Sequence, residues 1–292
     1  MVDRRKKLFN PHEKACYINL TKIGIHFDVN VQNKMRIADV FNIKSSGLSP
    51  EEFTYALKAH FDFVIYDNED LPLFGIELDG SLHEKDNSVI NNDILKNNIC
   101  ERFSFPLLRI NADFVTKKIK DLSLLSWIIE VWFLGQAFLK QQDQGFIPKD
   151  EIFDYNFVVK PFMKNGIIDG DFAYNLSRTE VVFINNCRRE GVIARVNFVA
   201  YEDQLGFTHG IIVASIDDKN GIMSRVRVKT FNFYPPSPSD IVEDLVIIDI
   251  ANKIKKHMDN KEKCIDPRSI YDFMNTINFK NKNLTFLKGF SF

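Results

Sequence analysis

The sequence predicts an α/β protein of two domains, the second of them rich in β-strands. Three observations support this prediction. The length of 292 residues exceeds what one domain usually needs. Apolar patterns of helical and strand-like period alternate before about residue 145, whereas strand-like runs separated by Gly, Asn and Asp turns dominate after it. We therefore expect a first domain at 1–145 and a β-rich accessory domain with a C-terminal helix at 146–292.

The elements of the first domain follow from periodicity and from signals at helix ends. Ser49, followed by a proline and two glutamates, is typical of a helix start, and the acidic turn N-E-D-L-P favours a hairpin between the strands around it. The helix after this hairpin is expected to bury Ile90 and Ile99 together with Ile94 or Leu95. The predicted elements are a helix at 11–23, a strand at 27–41, a helix beginning near 50, strands at 61–67 and 73–80, a helix at 89–103, a strand at 106–110 and a helix at 115–141.

The second domain is predicted from a series of β-rich runs. The segment D-D-K-N-G at 217–221 is a good hairpin loop between two of them. Ser239 or Asp240 is expected to cap a helix that runs from about 240 to 258. The runs F-V-V-K-P-F, E-V-V-F-I-N-N, V-I-A-R-V-N-F-V-A-Y, H-G-I-I-V-A-S-I and S-R-V-R-V-K-T-F-N-F begin at residues 157, 180, 192, 209 and 224.

Composition and charge exclude several classes of protein. The formal net charge of −1 means that any binding of nucleic acid needs a local basic surface. The four cysteines lie far apart without a C-x-x-C pair, which argues against a structural zinc site or a disulfide framework and agrees with a reducing compartment. The longest apolar run, at 122–139, is too short and too interrupted to span a membrane. We expect a cytoplasmic protein without membrane segments.

Acidic residues interrupt two of the apolar strand patterns of the first domain. Glu77 and Asp79 are two residues apart and so share a strand face, and Asp62 lies within the preceding apolar run. If the two strands pair as a hairpin, three carboxylates converge and repel one another unless a cation lies between them. Oxygen ligands suit Mg²⁺ or Mn²⁺ better than zinc. The alternative is a strand edge whose acids simply face water.

These acids belong to an ordered set of short motifs. The set comprises P-x-E-K-A-x-Y with Glu13, M-R-I-A-D-V, F-D-F-V-I with Asp62, I-E-L-D-G-S-L-H from Ile76 to His83, N-D-I-L-K-N with Asp93 and Lys96, and P-L-L-R-I with Arg109. Over about residues 8–115 this set resembles the PD-(D/E)XK nuclease superfamily, which holds restriction-endonuclease-like and repair nucleases. The resemblance is to a branch with an E-x-D-G-x-x-H motif followed by a D-x-x-K helix.

The resemblance implies a restriction-endonuclease-like mixed sheet flanked by helices and metal-dependent cleavage of nucleic-acid phosphodiesters. Asp62 and Glu77 would be metal ligands together with the backbone carbonyl of Leu78, and Glu13 would be an accessory carboxylate that orients water. The metal would be Mg²⁺ or Mn²⁺, and the substrate would be DNA rather than RNA. The setting that the resemblance suggests is restriction, repair or defence against foreign DNA.

One position departs from the pattern of the superfamily. The usual lysine, two residues after the second acid, is Asp79 in this chain. Because a cation near the attacking water helps to stabilise negative charge on the phosphate, we expect another residue to replace it. We expect Lys96 to do so, with Asp79 as an extra metal ligand or as the residue that positions His83 or Lys96. The alternative for Lys96 is a surface ion pair with Asp93, three residues earlier on the same helix.

Further candidates would contact the substrate. His83 could bind the scissile phosphate or transfer protons, or it could simply be exposed. Arg109 could bind phosphate or pair with a core acid. In the second domain Arg225, Arg227 and Lys229 alternate along one strand, so they share a face that could follow a phosphate backbone. The alternative for these three residues is the solvent face of a hairpin.

Two other functions are compatible with the sequence. Without the usual lysine, the chain could be a catalytically inactive, nuclease-like fold that serves as a nucleic-acid-binding or scaffold subunit of a larger complex. It could also be a sensor in which the second domain binds a ligand and the first domain responds. The modest net charge favours a contribution to DNA binding from a partner protein, a homo-oligomer or the second domain.

Overall fold

A computed structural model describes residues 8–78, 87–116, 118–119, 122–164, 167–260, 264–279 and 284–291 of the chain. The chain divides into two compact units. Unit 1 comprises Met1–Glu151 and Phe231–Pro235, and unit 2 comprises Ile152–Thr230 and Pro236–Phe292. Unit 1 therefore extends a few residues past 145 and also includes a short segment of the predicted second domain.

Unit 1 combines helices with β-sheet, as the sequence predicts. Its described helices are α1 (Pro11–Phe27), α2 (Ile37–Val40), α3 (Pro50–Ala56), α4 (Asn87–Arg102), α5 (Ala112–Thr116) and α6 (Leu124–Asp143). Its described strands are β1 (Asn30–Arg36), β2 (His60–Tyr66), β3 (Pro72–Leu78), β4 (Leu107–Ile110), β5 (Lys118–Ile119) and β6 (Leu122–Ser123). Within the described ranges, no helix of either unit is long and apolar enough to cross a membrane.

Strands β1 to β4 form a mixed sheet in the order β1-β2-β3-β4. Strand β2 is antiparallel to both β1 and β3, which confirms the predicted hairpin, and β4 is parallel to β3. Phe63 is the register partner of Ile76 in the hairpin, and Glu77 is the register partner of Arg109 in the parallel pair. All four residues of β4 are buried, as is typical of a parallel strand covered on both faces.

Aromatic side chains fill the core around this sheet. Phe61, Phe63 and Phe74 are almost fully buried, and each contributes about 2–3 kcal/mol by leaving water. Phe61 and Phe105 pack against Gly75, where a Cβ atom would lie 3.1 Å from both rings. Any side chain at this position would force the rings apart.

Capping residues start two helices of unit 1 at the predicted positions. Asn10 caps α1 and shares a capping box with Glu13, and Ser49 caps α3 and shares one with Glu52. In a capping box each side chain accepts a hydrogen bond from the backbone N–H of the other residue, which satisfies groups that the helix end leaves unpaired. Both starts are therefore fixed by the local sequence.

The strand predicted at 27–41 is shorter in the structure. Strand β1 ends at Arg36 and the short helix α2 follows it. The chain bends there because the Ile37 side chain is buried in the core and its backbone N–H donates to the carbonyl oxygen of Ala59.

The helix predicted at 115–141 also begins later. Helix α6 starts at Leu124, where the Ser123 side chain caps it, and α5, β5 and β6 occupy part of the preceding stretch. Apolar periodicity identified the helix but not its start, which depends on the capping serine.

The buried face of α4 differs from the predicted one. Ile99 is buried and Leu95 is partly buried, as predicted, but Ile90 and Ile94 are exposed and Lys96 is buried. Apolar periodicity places isoleucines inside and cannot foresee a buried partner for a lysine. The helix is turned so that Lys96 reaches the sheet.

Unit 2 contains an antiparallel sheet with helices. Its described strands are β7 (Val159–Lys164), β8 (Ile167–Ala173), β9 (Arg195–Asp203), β10 (Phe207–Ser215), β11 (Gly221–Lys229) and β12 (Leu284–Ser291), and its described helices are α7 (Arg178–Arg189), α8 (Pro238–Met258) and α9 (Arg268–Phe279). Strands β9 to β12 form the antiparallel sheet in the order β11-β10-β9-β12, and β7 pairs with β8. The predicted hairpin loop between β10 and β11 is confirmed.

The run E-V-V-F-I-N-N, predicted as a strand, is part of α7. Ile184 and Cys187 lie three residues apart on one helical face and are buried, whereas Val182 is exposed. The β-branched residues favour a strand locally, but the burial of one helical face outweighs that preference.

Helix α8 packs against the sheet of unit 2. Its cap is Ser237, which shares a capping box with Asp240, so the predicted cap at Ser239 or Asp240 was wrong. At Gly210 on β10 a Cβ atom would lie 3.0 Å from the carbonyl oxygen of Val242 on α8. The absence of a side chain at this glycine permits the close approach of helix and strand.

Candidate active site

Asp62 and Glu77 lie side by side on the hairpin of β2 and β3. Because Phe63 and Ile76 are register partners, the residues next to them on the two antiparallel strands are neighbours. Asp62 Oδ2 accepts a hydrogen bond of 2.9 Å from the backbone N–H of Leu78. The structure thus brings together the two acids that the sequence singles out, and their role as metal ligands stays a prediction.

Lys96 reaches these acids from α4. Its Nζ lies 2.8 Å from Glu77 Oε2 and donates to the backbone carbonyl oxygen of His60 at 2.9 Å. Both side chains of the ion pair are buried, with exposed fractions of 8% for Lys96 and 13% for Glu77. Lys96 is therefore not a surface residue, and Asp93, the alternative partner, pairs with Arg109.

The electrostatics of the site depend mainly on Glu77. Burial raises the pKa of its carboxyl group, the ammonium of Lys96 lowers it, and the charge of Asp62 raises it again, with a net upward shift. Among the described residues, no group donates a hydrogen bond to Glu77 Oε1, although that oxygen is buried. Since buried oxygens normally have a partner, this unpaired oxygen requires an explanation.

Lys34 on β1 links Asp62 to Glu13 on α1, and no sequence motif points to this lysine. Its Nζ lies 2.7 Å from Glu13 Oε1 and 2.5 Å from Asp62 Oδ1. Glu13 keeps its capping role, since its Oε2 accepts a hydrogen bond of 2.8 Å from the N–H of Asn10. Although burial works against the charged form, hydrogen bonds with Asp62 and Glu13 raise the pKa of Lys34. Glu13, the predicted accessory carboxylate, is thus connected to Asp62 through one ammonium group.

One signal for Lys34 is present in the sequence. Opposite charges on neighbouring antiparallel strands stabilise a sheet, so an acid on β2 favours a lysine on β1. The register of these two strands, however, is not fixed by a tight turn, because α2 and α3 lie between them. Sequence patterns alone therefore leave the partner of Asp62 undetermined.

Arg109 lies beside Glu77 in the sheet but is held by α4. Its Nη1 donates to Asp93 Oδ1 at 3.0 Å, and its Nη2 donates to Asn97 Oδ1 at 3.1 Å. The side chain is only 2% exposed. It therefore pairs with an acid, which is one of its two predicted alternatives, and phosphate binding by Arg109 would require it to leave these partners.

Some predicted members of the site lie outside the described residues. These are Asp79 and His83, whose roles stay predictions. Leu78 is described, and its N–H is bound to Asp62, while cation binding by its carbonyl also stays a prediction. In the described part of the chain, no three His, Cys, Asp or Glu side chains are grouped in a way that could hold a metal ion. The described site consists of Glu13 and Asp62, which share Lys34, and of Glu77, which pairs with Lys96.

The basic strand of unit 2 is β11, at an edge of its sheet. Arg225 and Arg227 are exposed and Lys229 is partly exposed. Arg225 Nη2 donates to Tyr201 Oη and to His209 Nδ1, both at 3.2 Å. The binding of nucleic acid by this strand stays a prediction.

Comparison with known proteins leaves the function open. A family model described as a protein of unknown function (DUF2726) matches residues 5–123. The match includes Glu13, Lys34, Asp62, Glu77 and Lys96, and it ends before unit 2 begins. No curated protein and no solved structure matches the chain.

Proposed function

We propose that the chain is a metal-dependent nuclease that hydrolyses DNA phosphodiester bonds with Mg²⁺ or Mn²⁺. The observation that carries this proposal is the buried ion pair between Lys96 and Glu77 beside Asp62. The setting, in restriction, repair or defence against foreign DNA, rests on the resemblance to the PD-(D/E)XK superfamily.

A buried ion pair is weak as a source of stability. Removing two opposite charges from water costs about as much free energy as their attraction returns, and apolar side chains often stabilise such a position equally well. Unit 1 nevertheless buries Lys96 against Glu77 and keeps Asp62 next to them. Ionisable groups that are concentrated in this way and shifted in pKa are typical of functional sites.

The residues present fit a divalent cation. Glu77 Oε1 is buried without a partner among the described residues, and the charge of Asp62 raises the pKa of Glu77. A cation between the two carboxylates would relieve their repulsion and give this oxygen a ligand. Because Mg²⁺ is often bound by one or two carboxylates with water and substrate phosphates, two protein side chains are enough.

Each described residue has a distinct part in this reaction. Asp62 and Glu77 would hold the cation through carboxylate oxygens. When bound, the cation would supply Lewis acidity toward the phosphodiester and the attacking water. Lys96, fixed beside Glu77, would stabilise the negative charge that develops on the phosphate. Glu13 would orient the attacking water, as the resemblance implies.

The architecture of unit 1 supports the same proposal. The resemblance implies a mixed sheet flanked by helices, and unit 1 has a four-stranded mixed sheet with helices before, between and after its strands. The replacement lysine was expected on the helix after the hairpin, and Lys96 on α4 contacts the second acid of the motif. A restriction-endonuclease-like fold is part of the proposal.

One observation favours the second function, a catalytically inactive subunit that binds nucleic acid. Asp62 already pairs with Lys34, and Glu77 already pairs with Lys96. Both acids therefore have a counter-charge without any cation. In such a protein the ion pairs would be structural and DNA would be bound without being cut.

Cleavage of linear, circular and single-stranded DNA by the purified full chain tests the proposal. We expect cleavage with Mg²⁺ or Mn²⁺ that EDTA, Asp62→Asn or Glu77→Gln abolishes. Lys96→Met should lower kcat by about 100-fold or more, because the charge that develops on the phosphate loses its fixed cation.

Matched controls come from an exposed ion pair of the same unit. Asp143 and Lys149 pair on the surface at 2.5 Å, and Asp143→Asn and Lys149→Met should leave cleavage unchanged. Cleavage that survives Glu77→Gln would contradict the proposed site. A chain that binds DNA but cuts none of the three substrates would favour the inactive subunit.

A further inference from the structure

Lys34 contacts two carboxylates that the proposed reaction uses. Its Nζ is within hydrogen-bond distance of both Glu13 Oε1 and Asp62 Oδ1. One ammonium group therefore pairs with two acids from different elements, α1 and β2. A divalent cation bound by Asp62 would need the same side chain.

The backbone conformation of β1 at Lys34 places the ammonium group of this residue beside Asp62. Lys34 has a φ of 54°, in the left-handed region that a lysine rarely adopts. Its neighbours Asn33 and Met35 are register partners of Phe63 and Phe61, the two residues that flank Asp62. The unusual conformation thus lies opposite the acid that Lys34 binds. Local strain of this kind persists where the surrounding structure holds it, and it is frequent at functional sites.

The two lysines of the site are held in different ways. Lys96 is buried and is fixed by the His60 carbonyl and the Phe61 ring, whose centre lies 5.6 Å from Nζ, as well as by Glu77. The Lys34 side chain is 43% exposed. Lys34 can therefore move into water without leaving a buried cavity, whereas Lys96 cannot.

We propose that Lys34 is a displaceable internal cation that occupies the metal-binding carboxylates in the metal-free protein. It holds Glu13 and Asp62 together until a divalent cation binds, and it then moves away, because two cations at one carboxylate repel each other. This inference rests on the proposed function, since it concerns the same site. It makes Lys34 a determinant of metal affinity rather than a ligand of substrate.

Calorimetric titration of the full chain with Mn²⁺ in the absence of DNA tests this inference. Lys34→Met keeps the length of the side chain and removes the charge, and we expect it to bind Mn²⁺ about three- to tenfold more tightly, since each partly exposed ion pair contributes modestly. Lys34→Arg keeps the charge and should bind as weakly as the wild type. Lys149→Met, at an exposed lysine outside the site, should also match the wild type.

Two further variants show where the ion binds and guard against misfolding of Lys34→Met. Lys34→Met combined with Glu77→Gln should lose the tight binding, which places the ion at the proposed site. Lys34→Asn removes the charge with a residue that tolerates the left-handed backbone, so it replaces Lys34→Met if the latter unfolds.

One of the possible outcomes separates this inference from the proposed function. Binding that depends on Glu77 but is equal or weaker in the uncharged Lys34 variants would overturn the role of Lys34 and leave the metal site intact. No binding of Mn²⁺ by any of these proteins would overturn both proposals. Tighter binding in Lys34→Met and Lys34→Asn, lost with Glu77→Gln, supports both.

Discussion

Each unit of the protein buries one carboxylate with an oxygen that accepts no hydrogen bond from the described residues. In unit 1 this oxygen is Glu77 Oε1, and in unit 2 it is Asp244 Oδ2 on α8. Burial is the first cause of a raised pKa in both groups. The two environments differ in the partner of the other oxygen. Glu77 Oε2 meets the ammonium of Lys96, whereas Asp244 Oδ1 accepts a hydrogen bond of 2.6 Å from the Ser177 hydroxyl.

The difference between these two partners determines whether the unpartnered oxygen belongs to an ionised or to a neutral carboxyl group. Burial raises the pKa of Asp244 to about 7, because the hydrogen bond from the Ser177 hydroxyl lowers this pKa only in part and the neighbouring acids Glu243 and Asp240 raise it further. The neutral form of Asp244 carries no charge that a cation would have to compensate. Lys96 instead supports the ionised form of Glu77, which can bind a cation. An unpartnered oxygen therefore indicates a ligand site only where a nearby cation favours the ionised carboxylate.

The largest expected effect sharpens this contrast through Lys96. Lys96→Met leaves Glu77 buried without its counter-charge, which should lower the free energy of unfolding by about 3–5 kcal/mol at pH 8. Adding Glu77→Gln to this variant should restore part of the loss, because the amide carries no charge. Urea denaturation of the single and double variants measures both quantities.

An exposed ion pair of unit 2 supplies the control. Arg268 and Asp266 pair at 2.5 Å on the surface. Arg268→Gln should cost less than about 1 kcal/mol. A loss at Lys96 that is equally small, or a double variant whose losses simply add, would show that Glu77 does not depend on Lys96.

The second prediction concerns Asp244 and pH. Because the pKa of Asp244 is raised from 3.8 to about 7, the native state holds this proton more tightly than the unfolded chain does. The stability that this group contributes is complete below about pH 4, declines as the pH rises toward 7 and is absent above it. Between these limits the wild type should lose on the order of 3 kcal/mol relative to Asp244→Asn. Urea denaturation of both proteins from pH 4.5 to pH 8 checks this difference.

The outcome at Asp244 bears directly on the comparison of the two units. Asp143→Asn, at an exposed acid, should follow the wild type at every pH. If Asp244→Asn does the same, then Asp244 is ionised throughout, and the contrast with Glu77 fails.

Local sequence signals predicted much of the fold. The start of α1 at residue 11, the cap at Ser49 and the turn between β2 and β3 are encoded by neighbouring residues, and each was predicted at its observed place. Helix α7 was not, because its β-branched residues favour a strand and only the tertiary burial of Ile184 and Cys187 selects a helix. In this segment, tertiary packing outweighed the local preference for a strand, and the sequence pattern does not show that packing.

The residues of the candidate site were likewise predicted where local sequence signals mark them and missed where only tertiary contacts do. Asp62 and Glu77 stand out in the sequence because each interrupts an apolar strand. The bridge from Lys34 depends on the register of β1 against β2 and on a left-handed backbone, neither of which a sequence motif specifies. The burial of Lys96 likewise departs from the apolar face predicted for α4, of which Ile99 is buried but Ile90 is not. The partner of Asp62 and the burial of Lys96 were therefore the parts that sequence patterns did not supply.

The smallest expected effect tests whether unit 2 binds DNA. Arg227 on β11 is exposed, and its guanidinium lies 4.5 Å from the centre of the Phe207 ring, so it could contact a phosphate without leaving the sheet. In a Glu77→Gln background that prevents cleavage, Arg227→Gln should weaken DNA binding a few-fold and lower the slope of log Kd against log salt by about one.

Arg268→Gln, at an exposed arginine paired with Asp266, is the matched control and should change neither quantity. Unchanged binding in Arg227→Gln would show that β11 has only a structural role. Arg225 on the same strand already has such a role, since it donates hydrogen bonds to Tyr201 and His209. DNA binding would then have to come from unit 1 without this strand.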